Sequence, residues 1–151
     1  MVKVSQDMID YVRGMATHSV CKRRGVAAMV FDGENGDVIG WGVNGPAKHR
    51  PELCSGIKDK CGCAHSEVNT LLACHPSKRQ LLGHKGVMLA TRAPCIPCAT
   101  CIVNVGYISK FIYLDKSEPG DAGIALLISC GIEVQHLAEA EEASELKDTA
   151  Q

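Results

Sequence analysis

Two short stretches carry the most reactive side chains in this chain: Ala64-His65-Ser66-Glu67 and, further along, Pro94-Cys95-Ile96-Pro97-Cys98. An imidazole and two thiols are three ligands of the nitrogen and sulfur type that zinc prefers. Three protein ligands leave the fourth tetrahedral position to water, which marks a catalytic site and not a closed structural one. Two thiolates and a neutral imidazole cancel the charge of the ion, yet a zinc-held water is still strongly acidified, towards neutral pKa values in zinc enzymes. Glu67 lies two residues from His65, close enough to stand beside that water as general acid and base. The chemistry implied is attack by the zinc-held hydroxide on an electrophilic carbon, with Glu67 as proton shuttle. Either stretch alone is ambiguous, because C-x-x-C pairs also form structural zinc knuckles or redox sites. A redox reading of Cys95 and Cys98 gains nothing from His65 and Glu67, so the two stretches together favour the catalytic metal.

Helix starts are predicted to position these groups. A helix from about His65 to Cys74 presents Val68, Leu71 and Leu72 to the core, and a second runs from Cys95 to Val105, opened by Pro94. Cys95 and Cys98 then share the first turn with both sulfurs on one side, where the helix N-terminus favours thiolate. Upstream, Ser5 caps a helix running to about Val20, with Met8, Ile9, Val12 and Met15 or Ala16 on its apolar face. Gly25–Phe31 and Val38–Val43 read as strands joined by the turn Asp32–Asp37. Asn44 to Gly62 has no period and reads as a long loop, of a length that in compact domains is functional or pinned down. Gly86–Thr91, Lys110–Leu114 and Ile132–His136 are further strands, and Ala122–Cys130 is a helix. The acidic stretch after Leu137 reads as a surface helix. Alternating strands and helices imply one α/β domain over residues 1–151 whose later strands run parallel.

Composition narrows the class. Of 151 residues, 46% are hydrophobic and 22% charged, ordinary for a globular chain. A net charge of -1 supplies no global field for holding a phosphate backbone, so a nucleic-acid polymer is not the expected partner. No secretory signal and no membrane span is read, and the expected location is cytoplasmic. Nine cysteines there point to metal ligands and buried thiols rather than disulfides. Cys74, Cys101 and Cys130 lie in helical apolar patterns and read as buried thiols, and Ile102, Val103 and Val105 as core.

The order H-x-E then P-C-x-x-C is that of zinc-dependent nucleobase deaminases. From about Ala16 to Val134 the chain resembles the cytidine deaminase superfamily, and more closely its deoxycytidylate (dCMP) deaminase branch. The resemblance is carried by Cys21-Lys22-Arg23-Arg24-Gly25-Val26-Ala27-Ala28, Gly42-Val43-Asn44-Gly45, His65-Ser66-Glu67-Val68-Asn69, Pro94-Cys95-Ile96-Pro97-Cys98-Ala99 and the stretch Ala122–Val134. It implies a three-layer α/β/α cytidine-deaminase-like sandwich with a five-stranded mixed sheet, and conversion of dCMP to dUMP and ammonia by attack at C4. It also implies that Asn44 bonds the sugar hydroxyl, that the backbone around Ser66 reads the base, and that cations cradle the phosphate. Arg23 is the first candidate for that cradle, followed by Lys22, Arg24, Lys48 and Arg92. Several dCMP deaminases carry a second, structural zinc; Cys21, Cys54 and Cys63 fall where its ligands would, and Cys61 completes a four-cysteine set. A homo-oligomer, hexamer or dimer, and dCTP and dTTP effectors are implied in the same way.

Ser66 departs from the family's alanine, Val43 from an aromatic and Ala27 from a glycine. A pocket enlarged at these positions would accept a 5-substituted dCMP. Alternatives are a related zinc deaminase acting on dCTP, guanine, a riboflavin precursor or a tRNA adenosine, and a non-catalytic zinc-binding protein on the same fold.

Overall fold

The strand Ala27–Asp32 (β1) is buried along its whole length, and its side chains divide between two cores. Ala28 and Val30 face one; Ala27, Met29 and Phe31 face the other, as the two-residue period of a strand requires. The computed structural model describes residues 1–116 and 120–137. In it β1 joins Val38–Val43 (β2), Gly86–Arg92 (β3), Ile108–Asp115 (β4) and Glu133–His136 (β5) in one 5-stranded sheet of order β2-β1-β3-β4-β5. β1 pairs antiparallel with β2 and β3, whereas β3, β4 and β5 are parallel. This is the expected mixed sheet, with the hairpin at one edge and the parallel strands at the other.

Gln6–Ala16 (α1) covers one face through Ile9, Val12 and Met15. Ser66–Ala73 (α2), Ile96–Val105 (α4) and Gly120–Ser129 (α5) cover the other, inserting Leu71, Ala99, Ile102 and Leu127. The result is the three-layer arrangement. Ser5 caps α1 as expected, its hydroxyl accepting the Met8 N–H at 3.2 Å. The helix stops at Ala16 instead of reaching Val20, because the Thr17 hydroxyl donates to the Gly14 carbonyl at 2.7 Å and closes the last turn.

Three packing expectations need correction. Leu72 is 76% exposed: the buried stripe of α2 runs through Ser66, Glu67, Thr70 and Leu71, and Leu72 falls off it. Cys101 and Cys130 are exposed, unlike Cys74, because Ile102 and Leu127 take the core positions of α4 and α5. The short helix Pro76–Leu82 (α3), which buries Leu82 alone, has no counterpart in the sequence reading. Ile102 is core, and Val103 and Val105 pack against it, as expected. The acidic stretch after Leu137 lies outside the described residues.

Two close backbone approaches fix the helices that matter. A Cβ at Gly42 would sit 2.8 Å from the Thr70 N, so only glycine lets α2 lie this close to β2. A Cβ at Gly123 would collide with the Pro94 carbonyl oxygen, where α5 rests on the turn before α4. The long loop 44–62 contains only two 3₁₀ turns, Ala47–His49 and Pro51–Leu53. Its base is closed by an isolated antiparallel bridge between Gly45 and Ala64. Among the described residues no helix is long and apolar enough to cross a membrane.

Candidate active site

His65 and Cys95 occupy equivalent places: each is the extended N-cap residue of its helix, α2 and α4 respectively. Ala64 is held by reciprocal backbone bonds with Gly45 (2.8 and 3.1 Å), so His65 enters its helix from a fixed point. Cys98 follows in the first turn of α4, within reach of the cap residue. His65 Nδ1 lies 3.2 Å from Cys98 Sγ and 3.3 Å from Cys95 Sγ. Tetrahedral zinc, with bonds of about 2.0 Å to nitrogen and about 2.3 Å to sulfur, separates those atoms by about 3.5 Å. The three side chains therefore fit a zinc ion and form a candidate ligand group.

The charges agree with the geometry. Cys98 and the His65 ring hold the Cys95 thiol well below the ordinary thiol range. The Cys95 thiolate in turn pushes Cys98 upward, with burial adding to the effect, and raises His65. Glu67 is 4% exposed, and burial raises its carboxyl above the ordinary carboxylate range.

His65, Glu67 and Cys95 line a cavity of about 260 Å³, with Cys98 buried behind them. Arg23, Arg24, Lys58 and Arg92 line it too, with Asp59 beside them. None of the four takes part in an ion pair among the described residues. Of the phosphate candidates, Arg23, Arg24 and Arg92 are thus brought together. Lys22 and Lys48 are not: Lys22 does not line the cavity, and Lys48 lines a separate groove with Gly45 and Pro46. Lys58 and Asp59 also line the cavity, and in the aperiodic loop only the cysteines on either side, Cys54 and Cys61, signal them.

Asn44 lines the cavity, but its side chain is already engaged. Its Oδ1 accepts the Val26 N–H at 2.8 Å and its Nδ2 donates to the Arg24 carbonyl at 2.7 Å, fixing the approach to β1. Each group retains one more bonding position. Ser66 is fully buried, and its hydroxyl has no hydrogen-bond partner among the described residues. Asn69 ties α2 to the end of β2, donating to the Val43 carbonyl at 2.8 Å. Val43 and Ala27 face the core under α1 and do not line the cavity, so the substitutions there do not enlarge it.

A second sulfur cluster adjoins the first. The thiols of Cys21, Cys54, Cys61 and Cys63 all lie within 4.8 Å of one another, against about 3.8 Å between sulfurs of a tetrahedral zinc tetrathiolate. The Lys22 N–H, donating at 3.4 Å, helps hold Cys54 down to about 7, whereas burial raises Cys63.

The model of the cytidine and deoxycytidylate deaminase zinc-binding region matches residues 2–115. The chain belongs to this deaminase family. Among solved structures, the family fold is seen in the dCMP deaminase of cyanophage S-TIM5. Its apo form is 23% identical with a TM-score of 0.66. Its complex with dCMP and dUMP is 24% identical with a TM-score of 0.68, and both matches cover 88% of this chain and 99% of that one. Aspergillus oryzae Rib2 deaminase, in complex with DARIPP, is 17% identical with a TM-score of 0.55, covering 85% of this chain and 82% of that one. Curated protein sequences give no significant match. At these identities the structural likeness speaks for the deaminase fold, and the choice of substrate rests on the cavity.

Proposed function

We propose that this deaminase converts dCMP and water to dUMP and ammonia. The observation that carries the proposal is the meeting, at one small cavity, of the ligand group His65, Cys95 and Cys98, the buried carboxyl of Glu67, and cations that form no ion pair among the described residues. A zinc ion held by the three ligands supplies Lewis-acid activation of water at its open position. Glu67 takes one proton of the attacking water and passes it to ring nitrogen N3, then takes the second from the C4 hydroxyl of the tetrahedral adduct and delivers it to the amino group, which leaves as ammonia as the C4 carbonyl forms. The N–H groups opening α2, around Ser66, are free of helix bonds and suited to the base carbonyl. Asn44 has one donor position left for a sugar hydroxyl, and Arg23, Arg24 and Arg92 supply charge for a 5′-phosphate. A second zinc on Cys21, Cys54, Cys61 and Cys63, nucleotide effectors and a homo-oligomer belong to the same proposal through the family resemblance.

The test is ammonia release from dCMP, dCTP, deoxycytidine and 5-methyl-dCMP, with wild type and Glu67→Ala. Activity on dCMP that is lost in the variant while zinc is retained supports the assignment. Turnover of another compound alone would keep Glu67 in its role and replace the substrate. Inactivity on all four, extended to guanine and a riboflavin precursor, would leave a zinc-binding protein without this chemistry.

A further inference from the structure

Three of the four cations of the cavity come from two irregular segments tied at one knot, while Arg92 ends β3. Arg23 and Arg24 follow Cys21 on the way into β1; Lys58 lies in the turn between Cys54 and Cys61. That turn is closed by its own bonds. The Ser55 N–H donates to the Cys61 carbonyl at 3.1 Å, the Ser55 hydroxyl to the Lys60 carbonyl at 2.8 Å, and the Lys60 N–H to the Ile57 carbonyl at 3.0 Å. Asp59, at its tip, has φ 61, a left-handed conformation uncommon outside glycine though more accessible to Asp, so holding the turn there takes a modest constraint. No apolar anchor supplies that constraint, since Ile57 is 58% exposed. The four sulfurs do, joining both segments within a few ångströms, and the Lys22 N–H to Cys54 Sγ bond bridges them.

We propose that the four-thiol cluster sets the affinity of the cavity for the anionic end of its ligand, by holding Lys58 in one cradle with Arg23 and Arg24. Lys58 is the binding residue, and Cys21, Cys54, Cys61 and Cys63 are positioning residues, with a thiophilic divalent cation as the fastening their geometry fits. Opening the knot releases the cradle while His65, Cys95, Cys98 and Glu67, mounted on α2 and α4, keep their places. The inference rests on the nucleotide reading above. It adds that phosphate affinity and the reaction centre are separable, and that the first depends on the second sulfur cluster.

The experiment is calorimetric binding of dUMP and of deoxyuridine, the same base and sugar without phosphate, to the full chain with its metal content measured. Wild type should prefer dUMP. Lys58→Ala should reduce that preference about tenfold, the scale of one lost bond to a charged group. Lys58→Arg should restore most of it. Cys61→Ser, with one fastening removed, should lose zinc and reduce the preference similarly while deoxyuridine binding is little changed. A wild type without preference overturns the nucleotide reading and this inference with it. A wild-type preference that survives in both Lys58→Ala and Cys61→Ser leaves the nucleotide reading standing and overturns the coupling. Loss in Lys58→Ala alone, or equal weakening of both ligands in Cys61→Ser, also overturns the coupling, because the thiols would then have no selective hold on the cradle.

Discussion

The two sulfur-rich clusters share a cavity and are built in opposite ways. His65 and Cys95 cap helices packed on the sheet, and Cys98 sits one turn into the second, so regular elements aim all three. Cys21, Cys54, Cys61 and Cys63 stand on chain without helix or strand and depend on one another for position. The first set has three donors and an open place; the second has four and closes on itself. A catalytic zinc would need its ligands aimed by the scaffold, whereas a fastening needs only donors within reach.

That contrast can be broken by substitution. Cys98→Ser should abolish turnover and remove one zinc equivalent per chain, measured by metal analysis; retained zinc with normal activity would dismiss the ligand assignment. Glu67→Ala should lower kcat by about 10² to 10⁴, the contribution of a positioned acid and base, with zinc content unchanged. Gly123→Ala should destabilise the fold by about 1–3 kcal/mol, as forced overpacking does, and should weaken zinc retention at the catalytic cluster more than at the four-thiol cluster. An equal effect on both would sever α5 from the Cys95 turn.

Two smaller effects sharpen the comparison. Ligands must shed protons to bind metal, so acidification should release zinc from both clusters, more steeply from four thiols than from two thiols and an imidazole. A chromophoric chelator followed against pH reads the two steps, and a single shared step would contradict independent sites. Ser66→Ala should stabilise the ligand-free chain by about 1 kcal/mol, since it removes a buried hydroxyl without a partner. Chemical denaturation measures this, and a loss of stability would reveal a hydrogen bond made by that hydroxyl.

What the sequence disclosed and what it withheld follow from the range of the interactions involved. The hairpin, the capped first helix and the two helix starts depend on local period and capping, and their residues announce them. Apolar spacing points Leu72 inward because it marks a stripe but not its centre; polar Thr70 takes the buried side instead, its hydroxyl donating to the Ala28 carbonyl of the sheet. Cys101 and Cys130 sit beside core residues and share their pattern without their burial. Pro76–Leu82 buries one leucine, too little to leave a period. The ligand group was legible because metal chemistry restricts residue type and spacing together. Lys58 was not, since its place depends on a loop folding back through contacts remote in sequence.

Gly123 shows how little room the reaction centre has behind it. Helix α5 contributes no side chain to the cavity, yet its backbone leans on the Pro94 carbonyl, one residue before Cys95. The tolerance at that point is less than a single carbon atom. Ile128 faces outward from the same helix, while the one position with no side chain at all acts as the spacer that sets where a sulfur ends up.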